Sequence, residues 1–498
     1  MKKLFKLNII LVLGLIVGIM SCTKDFEEMN INPNEPADAP STNILAHSLR
    51  YVGDAFYDDW QGMNNFLSYG GQVTKIQYVD EARYEFRNSV VNNAWRDYYN
   101  TLMDLEVMIR KSEAEETPNM KAVAMTFKYM LFQMATDQWK AIPYSQALSA
   151  EKDYGEITNP AYDDQPAIYD AIITGLKVAA DLFAAGGTDD IGDGDILYHG
   201  DVGKWQRFCN SLRLRVAMRI NRIDEARAKG IVDELMGNQG GYPVMASNDD
   251  NAFMFWEGAA PNKEPWQENS ETRDDHGMCN VIVDWMKMYN DPRLPVYAHP
   301  GYYDETTGDP VYTGNFPGAI DGTFRMDTIS RIGTRFRDDP MGFTPFMRYS
   351  EVLFFMAEAA VKWNNVGMTG EKLYMDGIQA SMEENGIAQE DIDAYVAQDG
   401  VAWPEGMDAQ LNQIWEQKWA SIFKQGQEVW AEQRRTDVPM MDQSPGSPYA
   451  GHNRQPFRYP YPVNEFNLNS ANVNPKAEGI VDHFWGQQMW WDVRTGVN

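Results

Sequence analysis

Several loop segments combine aromatic side chains with amides and carboxylates, which is the mixture of groups that could bind a sugar. A flat aromatic ring stacks on the C–H face of a sugar, while amides, carboxylates and arginine bond its hydroxyl groups. For each position the alternative is an aromatic residue that only packs against its neighbours. We predict a ligand platform built from the following residues: Trp266, Tyr302 and Tyr303, with Trp60 and Tyr78 beside them.

Side chains that could perform covalent chemistry follow no recognised spacing. The sequence has no G-x-S-x-G elbow, no H-E-x-x-H helix and no P-loop, and His199, His276 and His299 have no ordered partner motif. Glycosidases use two carboxylates whose separation is set in three dimensions, so adjacent acidic pairs among 72 acidic residues carry no weight. We therefore predict that the protein is not an enzyme; a surface glycoside hydrolase is the rival hypothesis.

An acidic loop contains Asp189, Asp190, Asp193 and Asp195, whose oxygens could bind calcium. The spacing departs from the EF-hand pattern because the bidentate glutamate is absent and the glycine is misplaced. A solvated loop is the preferred interpretation, with a structural calcium ion as the alternative. No Cys/His cluster indicates zinc, and no other cofactor is expected.

The N-terminus has the pattern of an export signal. Three lysines precede an apolar run of 14 residues, Leu7 to Met20, which is shorter than the ~20 residues that cross a bilayer. The run ends next to Cys22, and the surrounding sequence resembles a bacterial lipobox. We predict that residues 1–21 are a signal peptide, that Cys22 carries the lipid, and that residues 22–43, rich in Asn and Pro, form an extended tether. The acidic residues after Cys22 favour surface display.

The overall charge excludes some partners. The formal net charge is -29 and the pI is near 4.6, which argues against nucleic acid and against a basic membrane-binding patch. Only Cys209 and Cys279 remain after Cys22. Export through an oxidising compartment permits a disulfide between them, while the position of Cys209 in an apolar stripe favours a buried free thiol.

Apolar residues at helical spacing predict a mainly α-helical protein. Each stripe is wide enough to pack on another helix, and paired helices favour a tetratricopeptide-like superhelical scaffold, although no repeat has a fixed period. Residues 238–345 and 436–475 are rich in Gly, Pro and aromatics and predict long loops on that scaffold. We expect residues 44–498 to form a single domain. The predicted helices are 44–59, 88–113, 120–138, 165–184, 205–220, 224–237, 276–290, 352–363, 371–384 and 411–423.

Short motifs along the chain occur in the order found in one known family. Together with Cys22 they span nearly the whole sequence, and the set resembles the SusD/RagB family of nutrient-binding outer-membrane lipoproteins. The chain is most similar to the branch with a Pro-Tyr-Ser motif after the second helix. The segments are Thr136-Asp137 with 142–148 (IPYSQAL), 205–215 (WQRFCNSLRLR), 291–294 (DPRL), 348–353 (RYSEVL) with 357–359 (AEA), 417–419 (QKW) with Trp430, 434–439 (RRTDVP) and Tyr459-Pro460.

The resemblance implies a helical fold, a place on the outer face of the outer membrane, and a SusC-like TonB-dependent β-barrel transporter as partner. It implies capture of a nutrient, commonly a glycan; peptide import and a structural or adhesive role are the alternatives. Most motif residues are expected to be structural. Pro143 should end a helix, Asn210 should bond neighbouring backbone, and Arg434 and Arg435 should be ion-pair partners rather than ligands.

Overall fold

The computed structural model describes residues 39–150, 155–320 and 322–498. The signal peptide 1–21, the lipidation residue Cys22 and most of the tether 22–43 lie outside the described residues, so those expectations stay predictions. Helix α1 begins at Ser41, which makes the predicted tether too long by three residues. Within the described ranges, no helix is both long enough and apolar enough to span a membrane.

The N-terminal half is a series of helices in which each packs on the next. Pro118 occupies the first turn of α3, where its missing N–H costs nothing, and Gly186 ends α4 with a φ of 76° that favours glycine. A π-helix, Asp59–Leu67, follows α1 and was not predicted. The helices are α1 (Ser41–Phe56), α2 (Asn88–Ala114), α3 (Pro118–Trp139), α4 (Gln165–Ala185), α5 (Val202–Ile220) and α6 (Glu225–Gly237).

The predicted loop region 238–345 contains short strands and helices, and some of its strands pair with strands elsewhere in the chain. Within the described residues, four antiparallel two-stranded ribbons pair β1 with β5, β2 with β3, β4 with β8, and β6 with β7. The strands are β1 (Val73–Lys75), β2 (Ile142–Pro143), β3 (Tyr162–Asp163), β4 (Ala252–Phe255), β5 (His276–Met278), β6 (Tyr302–Tyr303), β7 (Pro310–Val311) and β8 (Phe343–Met347). The helices are α7 (Pro265–Ser270), α8 (Asn280–Met288), α9 (Leu294–Tyr297) and α10 (Thr334–Arg337).

The helix predicted over 276–290 is therefore wrong at its start, because residues 276–278 pair with β1 and the helix begins only at Asn280. The C-terminal part returns to helices, and α11 packs on both α12 and α14. Its helices are α11 (Tyr349–Trp363), α12 (Gly370–Glu384), α13 (Gln389–Val396), α14 (Met407–Ser421), α15 (Gly426–Thr436), α16 (Val463–Leu468) and α17 (Ser470–Ala477).

Among the residues that the structure describes, two apolar clusters form the core. The larger joins the N-terminal helices to α11 and α12, and the smaller joins α8 to the π-helix and α14. Neighbouring residues contribute to both, since Phe66 and Trp430 lie in the larger cluster while Leu67 and Val429 lie in the smaller. This shared packing favours the single-domain hypothesis for residues 44–498.

A buried ionic cluster connects α5, α11, α14 and α15. Arg219 lies 2.5 Å from Glu428 and also pairs with Glu432, and Arg435 lies 2.7 Å from Glu358 and 2.8 Å from Glu432. These side chains are almost completely enclosed. The prediction that Arg435 is an ion-pair partner is confirmed, because both carboxylates that meet it belong to the protein itself.

Arg434, its neighbour, differs from the prediction. Its guanidinium donates to the backbone carbonyls of Asp137 at 2.7 Å and Phe457 at 3.0 Å, and stacks on Trp430 at 3.7 Å. Arg434 therefore bonds backbone carbonyls rather than pairing with a carboxylate, and burial lowers its pKa to about 9.

The prediction that Pro143 ends a helix is wrong, because α3 already ends at Trp139 and Pro143 lies in β2. The prediction for Asn210 is confirmed, since its amide donates to the carbonyl of Gln206 at 3.0 Å. Cys209 and Cys279 are free buried thiols in different clusters, which excludes a disulfide between them in this structure.

Candidate ligand-binding site

Trp60, in the π-helix Asp59–Leu67, is the predicted platform residue that lines a cleft. The carboxylate of Asp58 accepts the N–H of Gln61 at 2.6 Å and caps the helix. The side-chain amide of Asn65 donates to the Trp60 carbonyl and to the Tyr459 hydroxyl, both at 2.9 Å. These bonds fix the backbone of Trp60, while 41% of the residue stays exposed.

The Trp60 cleft is an open cavity of about 370 Å³ between the π-helix and the first turns of α2. Its apolar surfaces come from the indole, two alanines and a valine. Ser89, Asn93 and Asp97 face it from α2, four residues apart and so on one side of the helix. The polar residues of the cleft are Asp58, Gln61, Arg87, Ser89, Asn93 and Asp97, which supply the donors and acceptors that hydroxyl groups require.

Arg87 is the cation of this cleft and is held in place by acidic neighbours. Its guanidinium lies 6.0 Å from the centre of the Trp60 ring. Its Nε lies 2.5 Å from Oε1 of Glu81, and its Nη2 lies 3.5 Å from Oδ2 of Asp80. Glu81 is buried, and its second oxygen lies 3.8 Å from the ammonium of Lys75. The ion pair with Glu81 thus fixes the position of the Arg87 guanidinium.

The two carboxylates of the cleft wall are also engaged. Burial, followed by the charge of neighbouring Asp59, raises the pKa of Asp58 well above its usual value. Asp97 accepts the hydroxyl of Tyr51 at 2.8 Å and Nε of Arg96 at 3.0 Å. Both side chains are therefore oriented by donors of the protein, and both line the cleft.

Tyr78 lies near this site without forming its wall. It follows β1 in a loop, with a φ of 54° and 56% of its surface exposed. Two residues later comes Asp80, which contacts Arg87. Tyr78 is therefore on the segment that carries the partners of Arg87, and its exposed ring can contact a ligand that extends beyond the cleft.

Tyr302 and Tyr303 form a separate aromatic surface on the β6–β7 hairpin. Tyr302 pairs with Val311 and Tyr303 with Pro310, so the two rings point to opposite faces. They are 44% and 63% exposed. The carboxylate of Asp304 accepts two backbone N–H groups of the hairpin turn at 2.8 Å, which fixes the loop. Neither tyrosine is part of the Trp60 cleft.

Trp266 contradicts its predicted place in the platform. It lies in α7 and only 1% of it is exposed. Its indole N–H donates to the carbonyl of Tyr57 at 2.6 Å, and the ammonium of Lys424 lies 4.6 Å from the ring centre. Lys424 is in turn paired with Glu264 at 2.8 Å. Because the protein encloses Trp266 almost completely, it has no surface to offer a ligand.

The acidic loop 189–195 bonds the protein's own N–H groups. Asp189 accepts the N–H groups of Asn119 and Met120, both at 3.0 Å, in the first turn of α3. Buried Asp195 accepts the indole N–H of Trp205 at 2.8 Å and three backbone N–H groups. Across the described ranges, no group of three or more His, Cys, Asp or Glu side chains is placed to hold a metal ion.

Arg87, Asn93 and Asp97 were not predicted from the sequence. The stripe of Ser89, Asn93 and Asp97 is visible as a polar side of α2, but an ordinary solvated helix face has the same pattern. Arg87 precedes the helix and shows no motif. Only the approach of the π-helix reveals that these side chains share a cleft with Trp60.

Comparisons with known proteins agree with this fold. The model of the SusD-like family, described as "Starch-binding associating with outer membrane", matches residues 33–462. No curated protein matches the chain.

Solved structures of similar fold cover nearly the whole chain. A SusD homologue from Bacteroides uniformis ATCC 8492 has 21% identity and a TM-score of 0.79, over 92% of this chain and 100% of that chain. A chitin-binding SusD homologue from Flavobacterium johnsoniae has 23% identity and a TM-score of 0.79, over 91% and 98%. A SusD homologue from Bacteroides thetaiotaomicron VPI-5482 has 21% identity and a TM-score of 0.78, over 92% and 100%. The shared fold confirms the predicted tetratricopeptide-like helical architecture.

Proposed function

The chain belongs to the SusD-like family, described as starch-binding and associating with the outer membrane, and from this membership we propose that it captures a glycan in the Trp60 cleft. The match over residues 33–462 confirms the resemblance that the motifs predicted. Two proteins of similar fold are described as chitin-binding. The observation that carries the proposal is an exposed indole facing oriented amide and carboxylate groups in one open cleft.

The proposed binding chemistry follows from the cleft wall. The exposed face of Trp60 stacks on the C–H face of one sugar ring and displaces water from it. Asn93, Ser89 and Gln61 bond the hydroxyl groups at the ring edge. Tyr78 lies on the adjoining segment and extends the aromatic contact to a further sugar unit. A shallow, open cleft of this kind suits one part of a long chain better than a small enclosed molecule.

We propose that binding occurs without cleavage. The two cleft carboxylates, Asp58 and Asp97, are bonded to Gln61, Tyr51 and Arg96, which gives each a structural role. A surface glycoside hydrolase remains the rival, since an acid of raised pKa beside a second carboxylate is also the equipment of that reaction. Release of reducing ends from a bound glycan by purified protein, abolished by Asp58→Asn, would establish the rival.

The proposed cellular role is delivery. A lipid on Cys22 holds the protein at the outer membrane, facing the medium, and a SusC-like TonB-dependent barrel receives the captured glycan. Local capture then raises the ligand concentration at the barrel entrance. Co-purification of a barrel protein with the lipidated chain from its native membrane is the expected result, and its loss on Cys22→Ala would tie the assembly to the anchor.

The binding test uses the mature chain with Cys22→Ser, titrated with neutral and acidic oligosaccharides and with peptides by calorimetry. Trp60→Ala should weaken binding of the recognised glycan. The 41% exposed fraction of a tryptophan amounts to about 100 Å², and covering half of it contributes roughly 1 kcal/mol, or about fivefold in Kd. Phe255→Ala removes a more exposed ring, 62% against 41%, from outside the cleft and is the matched control.

Three outcomes separate the hypotheses. Weakening by Trp60→Ala alone supports the cleft, whereas weakening by Tyr303→Ala alone would move the site to the β6–β7 hairpin. Saturable binding of peptides without glycans would favour peptide import. Absence of binding to either class would favour a structural or adhesive role.

A further inference from the structure

The charges around the Trp60 cleft restrict the kind of glycan that fits. We infer that the cleft selects an uncharged glycan over an acidic one, and that Glu81 sets this selectivity by holding the guanidinium of Arg87 in an ion pair. This inference rests on the proposed function, because it names the ligand class of the same cleft.

The first observation is that the charge of Arg87 is already paired with two carboxylates. Its Nε lies 2.5 Å from Oε1 of Glu81, and its Nη2 is within 3.5 Å of Asp80. A uronate or sulfate that approached Arg87 would meet a guanidinium whose charge is already offset by Glu81 and Asp80. The cation that lines the cleft is thus neutralised before any ligand arrives.

The second observation is that Glu81 is itself locked. It is 4% exposed, and its Oε2 lies 3.8 Å from the ammonium of Lys75. Lys75 is buried and also lies 3.9 Å from Asp275. The alternating charges of Arg87, Glu81, Lys75 and Asp275 hold the Glu81 carboxylate against Arg87. Moving this carboxylate away from Arg87 would leave a buried charge without its partner, which costs free energy.

The third observation concerns the carboxylates that line the cleft. Asp97 is one of them, and its cationic neighbour Arg96 is already paired with it at 2.9 Å. Asp58 lines the same cleft, but its raised pKa gives it less negative charge than an ordinary aspartate. An acidic sugar would therefore be repelled mainly by Asp97, and both Arg96 beside Asp97 and Arg87 in the cleft wall are already paired with carboxylates. Hydroxyl groups, in contrast, can donate to these carboxylates and gain charge-assisted hydrogen bonds.

The test compares neutral and acidic probes on the same protein, the mature chain with Cys22→Ser. The neutral probes are maltohexaose, chitohexaose and xylohexaose; the acidic probes are hexagalacturonate and a hyaluronan hexasaccharide. We expect at least one neutral probe to bind in a manner weakened by Trp60→Ala, and the acidic probes to bind at least about tenfold more weakly. The quantity followed is the ratio of acidic to neutral Kd.

Glu81→Gln tests the residue directly. It releases the guanidinium of Arg87, and the ratio of acidic to neutral Kd should fall by about five- to tenfold at low salt. The double variant E81Q/R87Q should restore the ratio, because the released cation is then gone. If Glu81→Gln does not fold, Asp80→Asn removes the other partner of Arg87 from a half-exposed position and should lower the ratio in the same direction.

The experiment distinguishes failure of the charge-selectivity inference from failure of the glycan-capture proposal. An acidic probe that binds the unaltered cleft as tightly as the neutral probes, and is weakened by Trp60→Ala, overturns this inference and leaves the glycan-capture proposal standing. An unchanged ratio in both Glu81→Gln and Asp80→Asn removes Glu81 from the selectivity. Glycan binding that Trp60→Ala does not affect overturns the cleft assignment, and this inference falls with it.

Discussion

Replacing Arg435 with methionine tests the idea that the family motif in α15 builds the interior rather than a ligand site. Arg435 donates to Glu358 at 2.7 and 2.8 Å and to Glu432 at 2.8, 2.9 and 3.1 Å, and all three side chains are buried. Methionine keeps most of the volume and removes the charge. The change in stability therefore reports what the two buried carboxylates lose when their shared cation is removed.

The contacts that Glu358 and Glu432 keep in Arg435→Met determine how much free energy of unfolding is lost. Glu358 keeps Asn221 at 2.7 Å and the indole of Trp415 at 2.9 Å, and Glu432 keeps Lys418 at 2.7 Å. Because each carboxylate retains donors, we expect a loss near the lower end for a broken buried pair, about 3 kcal/mol. Unfolding entropy scales with length and is roughly 1 kcal/mol/K for a chain of about this size, so the melting temperature should fall by about 3 °C.

Thermal unfolding followed by circular dichroism measures this shift, with Arg325→Met as the matched control. Arg325 pairs with Asp327 at the surface, where both are mostly exposed, and its loss should leave the melting temperature unchanged. Adding Glu358→Gln to Arg435→Met should recover part of the loss, because the stranded charge disappears. A melting temperature no lower for Arg435→Met than for the control would refute the structural role of the motif.

The pH dependence gives a second measurement on the same variants. Burial by itself raises the pKa of Glu358, but Arg435 more than offsets this, and the net pKa is lowered. In Arg435→Met that compensation is gone and the pKa of Glu358 should rise. The difference in stability between variant and wild type should then shrink at acidic pH, because Glu358 takes up a proton. A constant difference across pH would contradict this account.

Three further predictions concern buried groups. Trp266→Phe should lower the free energy of unfolding by about 1–3 kcal/mol, because it leaves the Tyr57 carbonyl without its donor, yet leave glycan Kd unchanged in calorimetry; a weakened Kd would return Trp266 to the binding site. Burial, with the charges of Lys75 and Arg337 adding to it, lowers the pKa of His276 to about 3. The unfolded chain therefore binds this proton more readily than the folded protein, and stability is lost as the pH falls below the pKa of His276 in the unfolded chain. Between pH 7 and 5 the wild type should lose about 2 kcal/mol more than His276→Gln in urea unfolding, and equal losses would contradict the buried neutral state. Burial raises the pKa of Cys209 to about 11 and that of Cys279 to about 12, so a thiol reagent should titrate neither in the folded protein and both in denaturant; fast reaction before unfolding would disprove their enclosure.

Local patterns in the sequence were enough to predict most of the helices. The apolar stripe of 205–220 becomes α5 over Val202–Ile220, and the stripe of 352–363 becomes α11 over Tyr349–Trp363. Such stripes are reliable because a helix repeats its burial every 3.6 residues. The π-helix was not predicted, because no periodic sequence pattern marks it. Its wider turn is stabilised by individual hydrogen bonds, such as the one from the Asn65 side-chain amide to the Trp60 carbonyl.

The local sequence does not distinguish an exposed aromatic residue from a buried one. Trp60 and Trp266 both lie among polar residues in segments that read as loops, and nothing local separates them. The structure buries Trp266 beneath Lys424 and leaves Trp60 41% exposed at a cleft. Whether an aromatic ring faces solvent depends on which distant segment packs over it, and that contact is long-range.

By itself, the sequence determined the helical class and the family motifs, because helical periodicity and ordered motifs are local properties of the chain. Only the tertiary structure decided that Arg87 lies 6.0 Å from the ring centre of Trp60 and pairs with Glu81, and that Asp97 of α2 lines the same cleft. These residues come from three separate elements. Their meeting depends on how the π-helix packs against α2, and the free energy of that packing is a property of the whole fold.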